Sequence, residues 1–157
     1  NKAEKLSDNG SMNIINEIKD AWGWIGIDPQ EIVVQNEFGN LIIKDPENRF
    51  WRLSPEDVSC EVVAESIDDY NMLIQDEAFV EDWFMTAMVD EATKKLGKLK
   101  PDYKFYMVVP GALGGEYGGS NVKMAPFTAI IKFSGALGKQ IKEQPDGAEI
   151  KYIPLSY

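Results

Sequence analysis

The chain has 157 residues, 44% of them hydrophobic and four of them Trp, which is the size and apolar content of one self-sufficient domain. Its formal net charge is −10, from 26 acidic against 16 basic residues, a field that repels phosphate backbones and anionic lipid and attracts basic partners. With no His and a single Cys, Cys60, it excludes His-based catalysis, an intramolecular disulfide and nearly every zinc-site spacing.

Residues 1–11, NKAEKLSDNGS, are polar and carry no net charge, Lys2 and Lys5 balancing Glu4 and Asp8. They read as a cloning remnant or a disordered lead ahead of a single domain over residues 12–157. From Met12 onward, Ile14, Ile15, Ile18, Ala21 and Trp22 recur at helical spacing, with Asn13 as the candidate cap and Gly23 as the stop. Strands follow at residues 31–37, 41–44 and 49–53, separated by turns at Phe38-Gly39-Asn40 and at residues 45–48, which is the pattern of an antiparallel meander. Ser54-Pro55-Glu56-Asp57 is a helix start or a tight turn, because Ser caps and Pro is tolerated at the first helical position.

The run SCEVVAE alternates, placing Cys60, Val62 and Ala64 on one face of a fourth strand and making Cys60 a buried small apolar residue. Ser66-Ile67-Asp68-Asp69 resembles a capping box that opens a short helix through Ile74. Asp76 caps the main helix, expected over residues 77–96: Phe79, Val80, Trp83, Phe84, Ala87, Met88, Ala92 and Leu96 recur at three- and four-residue intervals, with acids early and Lys94 and Lys95 late. In it Trp83 and Phe84 read as core and Asp82 as solvated. After a turn at Lys100-Pro101-Asp102 come a strand over 104–109, a glycine-rich loop, a short pairing segment at 122–124, and a helix from Pro126 to about Gln140, interrupted or bent near Ser134-Gly135. Pro145-Asp146-Gly147 turns the chain into a last alternating strand over 148–154. The fold class expected is α+β, a mainly antiparallel sheet of roughly six strands with helices packed on one side.

The glycine-rich loop, PGALGGEYGGSN at residues 110–121, has five glycines in twelve residues and belongs to no regular element. Glu116 and Tyr117 stand between Gly114-Gly115 and Gly118-Gly119, so the loop presents one carboxylate and one phenol together. It lacks the Gly-Lys-Ser/Thr ending of a phosphate cradle and carries a glutamate where an anion would sit, so its ligand is cationic or a hydrogen-bond donor. The groups left for catalysis are carboxylates, Tyr, Ser, Lys and Cys60. A two-acid hydrolase needs carboxyls about 5 to 9.5 Å apart. The adjacent pairs Glu56-Asp57 and Asp68-Asp69 fit no metal-loop spacing and stand where helix starts attract acids in any case. No run of about 18 apolar residues and no signal-peptide pattern is present, so a soluble cytoplasmic protein is expected, with no membrane, nucleic-acid or cofactor requirement.

Several fragments taken together resemble a known family. Trp51-Arg52-Leu53-Ser54-Pro55-Glu56-Asp57 with Val63-Ala64, then Asp82-Trp83, then Pro110 with Leu113-Gly114-Gly115-Glu116-Tyr117 and Asn121, and last Phe133-Ser134-Gly135 and Pro145-Asp146-Gly147, are similar to the C-terminal domain of the type VI secretion immunity proteins, which protect a bacterium against a secreted DNase effector. The resemblance runs from about Trp22 to Ile153. It implies a bacterial cytoplasmic immunity protein, not an enzyme, that binds a cognate toxin, commonly a nuclease, and neutralises it by occluding a basic active site. Many relatives carry an additional N-terminal domain, whereas one short helix precedes the matching region here, so the toxin need not be a DNase. Under this reading Glu116, Tyr117 and Asn121 lie in or beside the toxin contact, with Trp51, Glu56 and Asp57 contributing. The plainer reading of the loop is that Glu116 and Asn121 hydrogen-bond its own backbone. Two rivals stay open: a small-ligand or regulatory module with the loop as a lid, and a carboxylate-dependent hydrolase. The sequence leaves the oligomeric state undetermined.

Overall fold

The computed structural model describes residues 8–157. Its first half is a meander in which β1 (Glu31–Gln35), β2 (Leu41–Lys44), β3 (Phe50–Ser54) and β4 (Ser59–Ala64) pair antiparallel in sequence order. Side chains stabilise the reversals. Asn36 Oδ1 accepts from the amides of Phe38 and Asn40 at 3.0 and 2.9 Å, and Asp45 Oδ1 accepts from those of Glu47 and Arg49 at 2.9 and 3.0 Å. Around the meander lie α1 (Asp8–Trp22), α2 (Ile67–Leu73), α3 (Glu77–Phe84), α4 (Thr86–Leu96) and α5 (Phe127–Glu143), and a second sheet pairs β5 (Tyr103–Met107) with β6 (Val122–Pro126).

Leu41, Ile42 and Ile43 are consecutive and all buried, which a strand achieves only when both of its faces are covered. On one face Leu41, Ile43, Trp51 and Leu53 meet Ile14, Ile18 and Trp22 of α1 and Phe127 and Ile131 of α5. On the other, Ile42, Phe50 and Ala64 meet Tyr70 of α2 and Phe79 and Trp83 of α3, the Phe50 and Tyr70 rings stacking 4.2 Å apart. The fold is thus α+β as expected, but its strands divide between two sheets and helices cover both faces of the larger one. The second sheet packs Phe105, Met107 and Val122 against Val89 and Ala92 of α4.

The main helix is broken where the periodicity predicts continuity. Met85 adopts a left-handed conformation (φ 50°), ending α3 and beginning α4. The carbonyl of Trp83, which an unbroken helix would offer to the amide four residues on, instead accepts from Asn36 Nδ2 at 2.8 Å. The opposite holds for α5, which runs without interruption through Ser134-Gly135. A β-carbon at Gly135 would overlap the Ala21 carbonyl, so the glycine is there to admit α1. Trp24 Nε1 donates to the Gly135 carbonyl and Trp22 Nε1 to Ser134 Oγ, both at 3.2 Å.

The alternating segment at 148–154 pairs with no strand, whereas the short pairing segment expected at 122–124 is the strand β6. It is strapped down by side chains instead: Gln140 Nε2 donates to the Lys151 carbonyl at 2.7 Å, and the Tyr106 hydroxyl to the Leu155 carbonyl at 3.0 Å. Of the residues read as a lead, 1–7 lie outside the described residues, and 8–11 form the first turn of α1, so that Asn13 stands inside the helix. Among the described residues no helix is long and apolar enough to cross a membrane.

Candidate functional site

The glycine-rich loop connects β5 to β6 and is held at three points. Asn121 closes its base: Oδ1 accepts from the Val109 amide at 2.8 Å, while Nδ2 donates to the carbonyls of Val109 at 2.9 Å and Glu116 at 2.7 Å. Glu91 of α4 accepts from the Gly119 amide at 2.7 Å, and the Tyr117 hydroxyl donates to Asp57 Oδ1 in the 3₁₀ turn Pro55–Asp57. The glycines make these approaches sterically feasible, since a β-carbon at Gly115 would overlap the Val109 carbonyl and one at Gly111 the Tyr117 hydroxyl. Donation to Asp57, with partial burial added, pushes the Tyr117 phenol up to about 12, so it stays a donor at any physiological pH.

Tyr117 and Asp57 form one rim of a groove of about 460 Å3. Its floor is the face of β3 and β4 that carries Arg52, Ser54, Glu61 and Val63, and its far wall is the α3–α4 junction, with Phe79, Glu81, Asp82, Met85 and Met88. Beneath it lies a buried polar hub on Asn40, which is wholly inaccessible. Asn40 Oδ1 accepts from Arg52 Nε and Nη2 at 3.2 and 2.9 Å and from Ser54 Oγ at 2.9 Å, and Nδ2 donates to Glu56 Oε1 at 2.7 Å. Arg52 Nη1 reaches Asp82 Oδ2 at 2.7 Å, and its guanidinium lies 5.2 Å over the Trp83 ring. Burial pushes the Glu56 carboxyl up to about 7, against the opposing pull of Asn40 and Arg52.

The groove therefore combines an apolar wall with the carboxylates of Asp57, Glu61, Glu81 and Asp82, against one cation, Arg52, which Asn40 and Asp82 already engage. That chemistry suits a cationic group with an apolar stem, such as an Arg or Lys side chain of another protein. Glu56 and Asp57 are committed to hydrogen bonds with Asn40 and Tyr117, and Cys60, which packs against the main core rather than lining the groove, has its thiol pushed up to about 12 by burial. Among the described residues no group of three or more His, Cys, Asp and Glu side chains is placed to hold a metal ion.

The structure brings together Tyr117, Asp57 and Glu56 of the residues picked from sequence, with Asn121 bracing the loop behind them. Glu116 is exposed at the loop tip, its carboxylate beside Gly119, and its carbonyl accepts from Asn121. Glu56 is only 5% exposed and supports the turn from beneath. Trp51 stands apart. It points to the opposite face of β3, is buried in the main core, and donates its indole N–H to Asp45 at 3.0 Å. Asn40, Arg52, Asp82 and Glu91 were not picked. Asp82 is solvated as read, its side chain 72% exposed, and from there it forms an ion pair with Arg52, 30 residues earlier in the chain. Period-2 alternation along Phe50–Ser54 did carry a signal, because it sets Arg52 and Ser54 on the face away from Trp51.

No curated protein matches the chain. Residues 64–138 match the family described as T6SS immunity protein Tdi1, C-terminal. That segment, which runs from the last residue of β4 into the second half of α5 and includes both the groove wall and the glycine loop, is where the chain is similar to the C-terminal domain of that family.

Proposed function

We propose that the chain is an immunity protein that binds a cognate secreted antibacterial toxin in the bacterial cytoplasm and neutralises it, without catalysis of its own, by covering a basic active site. The observation that carries this reading is the overlap of the matched segment with part of the site: α3, α4 and the glycine loop lie within residues 64–138, while the groove floor on β3 and β4 and the turn at Glu56-Asp57 precede it. A nuclease effector is the toxin class that fits, since an active site that holds anionic nucleic acid is basic, and the chain offers it an acidic groove on a body of net charge −10. Tyr117, 51% exposed, is the anchor, with Glu116 and Asp57 as charge partners and Asn121 and Glu56 as the residues that position them. A standard interface would cover on the order of 800 Å2 of each partner.

The test is co-expression of the chain with candidate effectors, followed by capture and by association kinetics at rising salt. Capture of a nuclease whose association slows steeply with salt and whose activity is lost in the complex is the expected result. A captured toxin that keeps full activity, or an association rate indifferent to salt, would sink the occlusion mechanism.

A further inference from the structure

We propose that a second groove, on the other side of α4, is a binding site for an extended peptide segment bearing acidic side chains. This groove has a volume of about 1160 Å3 and lies between the end of β1, α4, the connection from α4 to β5, and the start of α5. It shares no lining residue with the first groove and does not depend on the toxin reading.

Two independent features point to a ligand there. The first is Gln35, which lines the groove, is only 6% exposed, and has a side-chain carbonyl oxygen with no hydrogen-bond partner. It is the one buried side-chain nitrogen or oxygen left unpaired among the described residues. Buried polar groups in native proteins are paired almost without exception, because an unpaired one loses its water and gains nothing in return. The Gln35 oxygen therefore calls for an N–H or O–H donor from outside. The second feature is charge. On a chain with 26 acids, this groove is lined by three lysines, Lys98, Lys100 and Lys104, against two carboxylates, Glu37 and Asp102, and neither Lys98 nor Lys100 forms an ion pair among the described residues. The Lys100 ammonium lies over the Tyr103 ring at 5.5 Å.

The occupant follows from size and chemistry. The volume exceeds the roughly 300–1,000 Å3 typical of small-molecule sites, so a metabolite would leave much of it as water. An extended chain advances about 3.3 Å per residue, offers a main-chain N–H at every step for Gln35, and alternates its side chains. Carboxylates on one side of it would meet Lys98 and Lys100, and apolar side chains on the other would lie along Leu99 and Tyr103, both part-exposed in the lining.

Fluorescence anisotropy on the intact chain tests this with a fluorescein-labelled octapeptide alternating Glu and Leu. Saturable binding is expected, weakened about tenfold by Gln35→Leu and at least as much by Lys98→Glu/Lys100→Glu, and unaffected by Tyr117→Ala in the other groove. Gln35→Leu is expected to fold, since it removes the unpaired group, and a thermal melt checks that; the lysine variant stands as a surface substitution if it does not. No saturable binding, equal binding of the alternating Lys and Leu peptide, or unchanged affinity in both variants overturns the proposal. Full displacement of the peptide by inorganic phosphate would mark a simple anion site and overturn it as well.

Discussion

Tyr117, at the centre of the glycine loop, donates its phenolic hydrogen to Asp57, 60 residues earlier in the chain. The bond joins the loop between the two strands of the second sheet to the turn between β3 and β4 of the meander, so the loop is presented as a fixed surface rather than a tether. Freezing a loop before binding removes an ordering cost from association, and a side chain already placed in its bound orientation is worth more to a complex than a mobile one. Tyr117→Phe isolates the hydroxyl and Tyr117→Ala removes the ring. With the cognate toxin, Tyr117→Phe is expected to speed dissociation about tenfold and Tyr117→Ala about thirtyfold or more. Surface plasmon resonance would show it. Equal dissociation rates for all three proteins would take the loop out of the contact.

Asn40 makes four side-chain hydrogen bonds at a fully buried position, tying together Arg52, Ser54 and Glu56. Asn40→Leu keeps the volume and strips every partner, leaving a guanidinium and a carboxyl poorly satisfied below the groove. A loss of about 3 kcal/mol in urea unfolding is expected, with Arg52→Lys losing less because one ammonium replaces a fork. A loss under about 0.5 kcal/mol, the range of an ordinary surface change, would show that the hub contributes nothing to the fold.

Glu56 and Asp45 give stability opposite slopes in pH. Burial raises the Glu56 carboxyl from 4.5 to about 7, so the folded state holds that proton more tightly than the unfolded chain; its contribution is complete below about 4.5 and is lost as pH climbs through 7. The total at stake is about 3 kcal/mol. Burial would raise Asp45 too, but hydrogen bonds from the Trp51 indole and from Arg49 outweigh it and lower the carboxyl below its ordinary 3.8. That contribution is present above 3.8 and fades in acid. Glu56→Gln keeps the acceptor for Asn40 and cannot ionise. It should abolish the fall in urea midpoint between about pH 5 and about pH 8 while leaving the acid limb as it was. A parallel shift of the whole curve would mean that some other group titrates.

Gly135 sits where α5 touches the backbone of α1 at Ala21, whereas Gly23, just past the end of α1, faces open space without a positive φ. Gly135→Ala should cost about 1–3 kcal/mol by pushing the helices apart and stretching the Trp24 bond to its carbonyl. Gly23→Ala should be neutral or stabilise by up to about 1 kcal/mol through the unfolded chain. Thermal melts of the two variants check the contrast. Coincident melting temperatures would mean that α1 can slide without loss.

Whatever depends on neighbours within about five residues, or on a simple period, is legible in the chain before it folds. Ser66 accepts from the Asp69 amide and Asp76 from the amides of Ala78 and Phe79, as the capping patterns announce, because a cap is a bond between residues two or three apart. The order of the meander followed from turn residues between alternating runs, and the fragments at Asp82-Trp83 and Gly114 to Asn121, among those that carried the resemblance, lie within the segment that matches the family model. Tertiary structure alone decided what depends on a competitor from far away. The periodicity of residues 77–96 is continuous, yet Asn36 takes the Trp83 carbonyl from 47 residues off, and the helix breaks there. Residues 148–154 alternate like a strand, but a ladder needs a partner edge, and the chain there is bonded instead by Gln140 at Lys151 and by Tyr106 at Leu155, just past the stretch. Trp51 and Arg52 are adjacent in the chain, and alternation separates their faces. Only the packing of α1 and α5 on one side, and of α3 with the loop on the other, makes the first residue core and the second the floor of a groove.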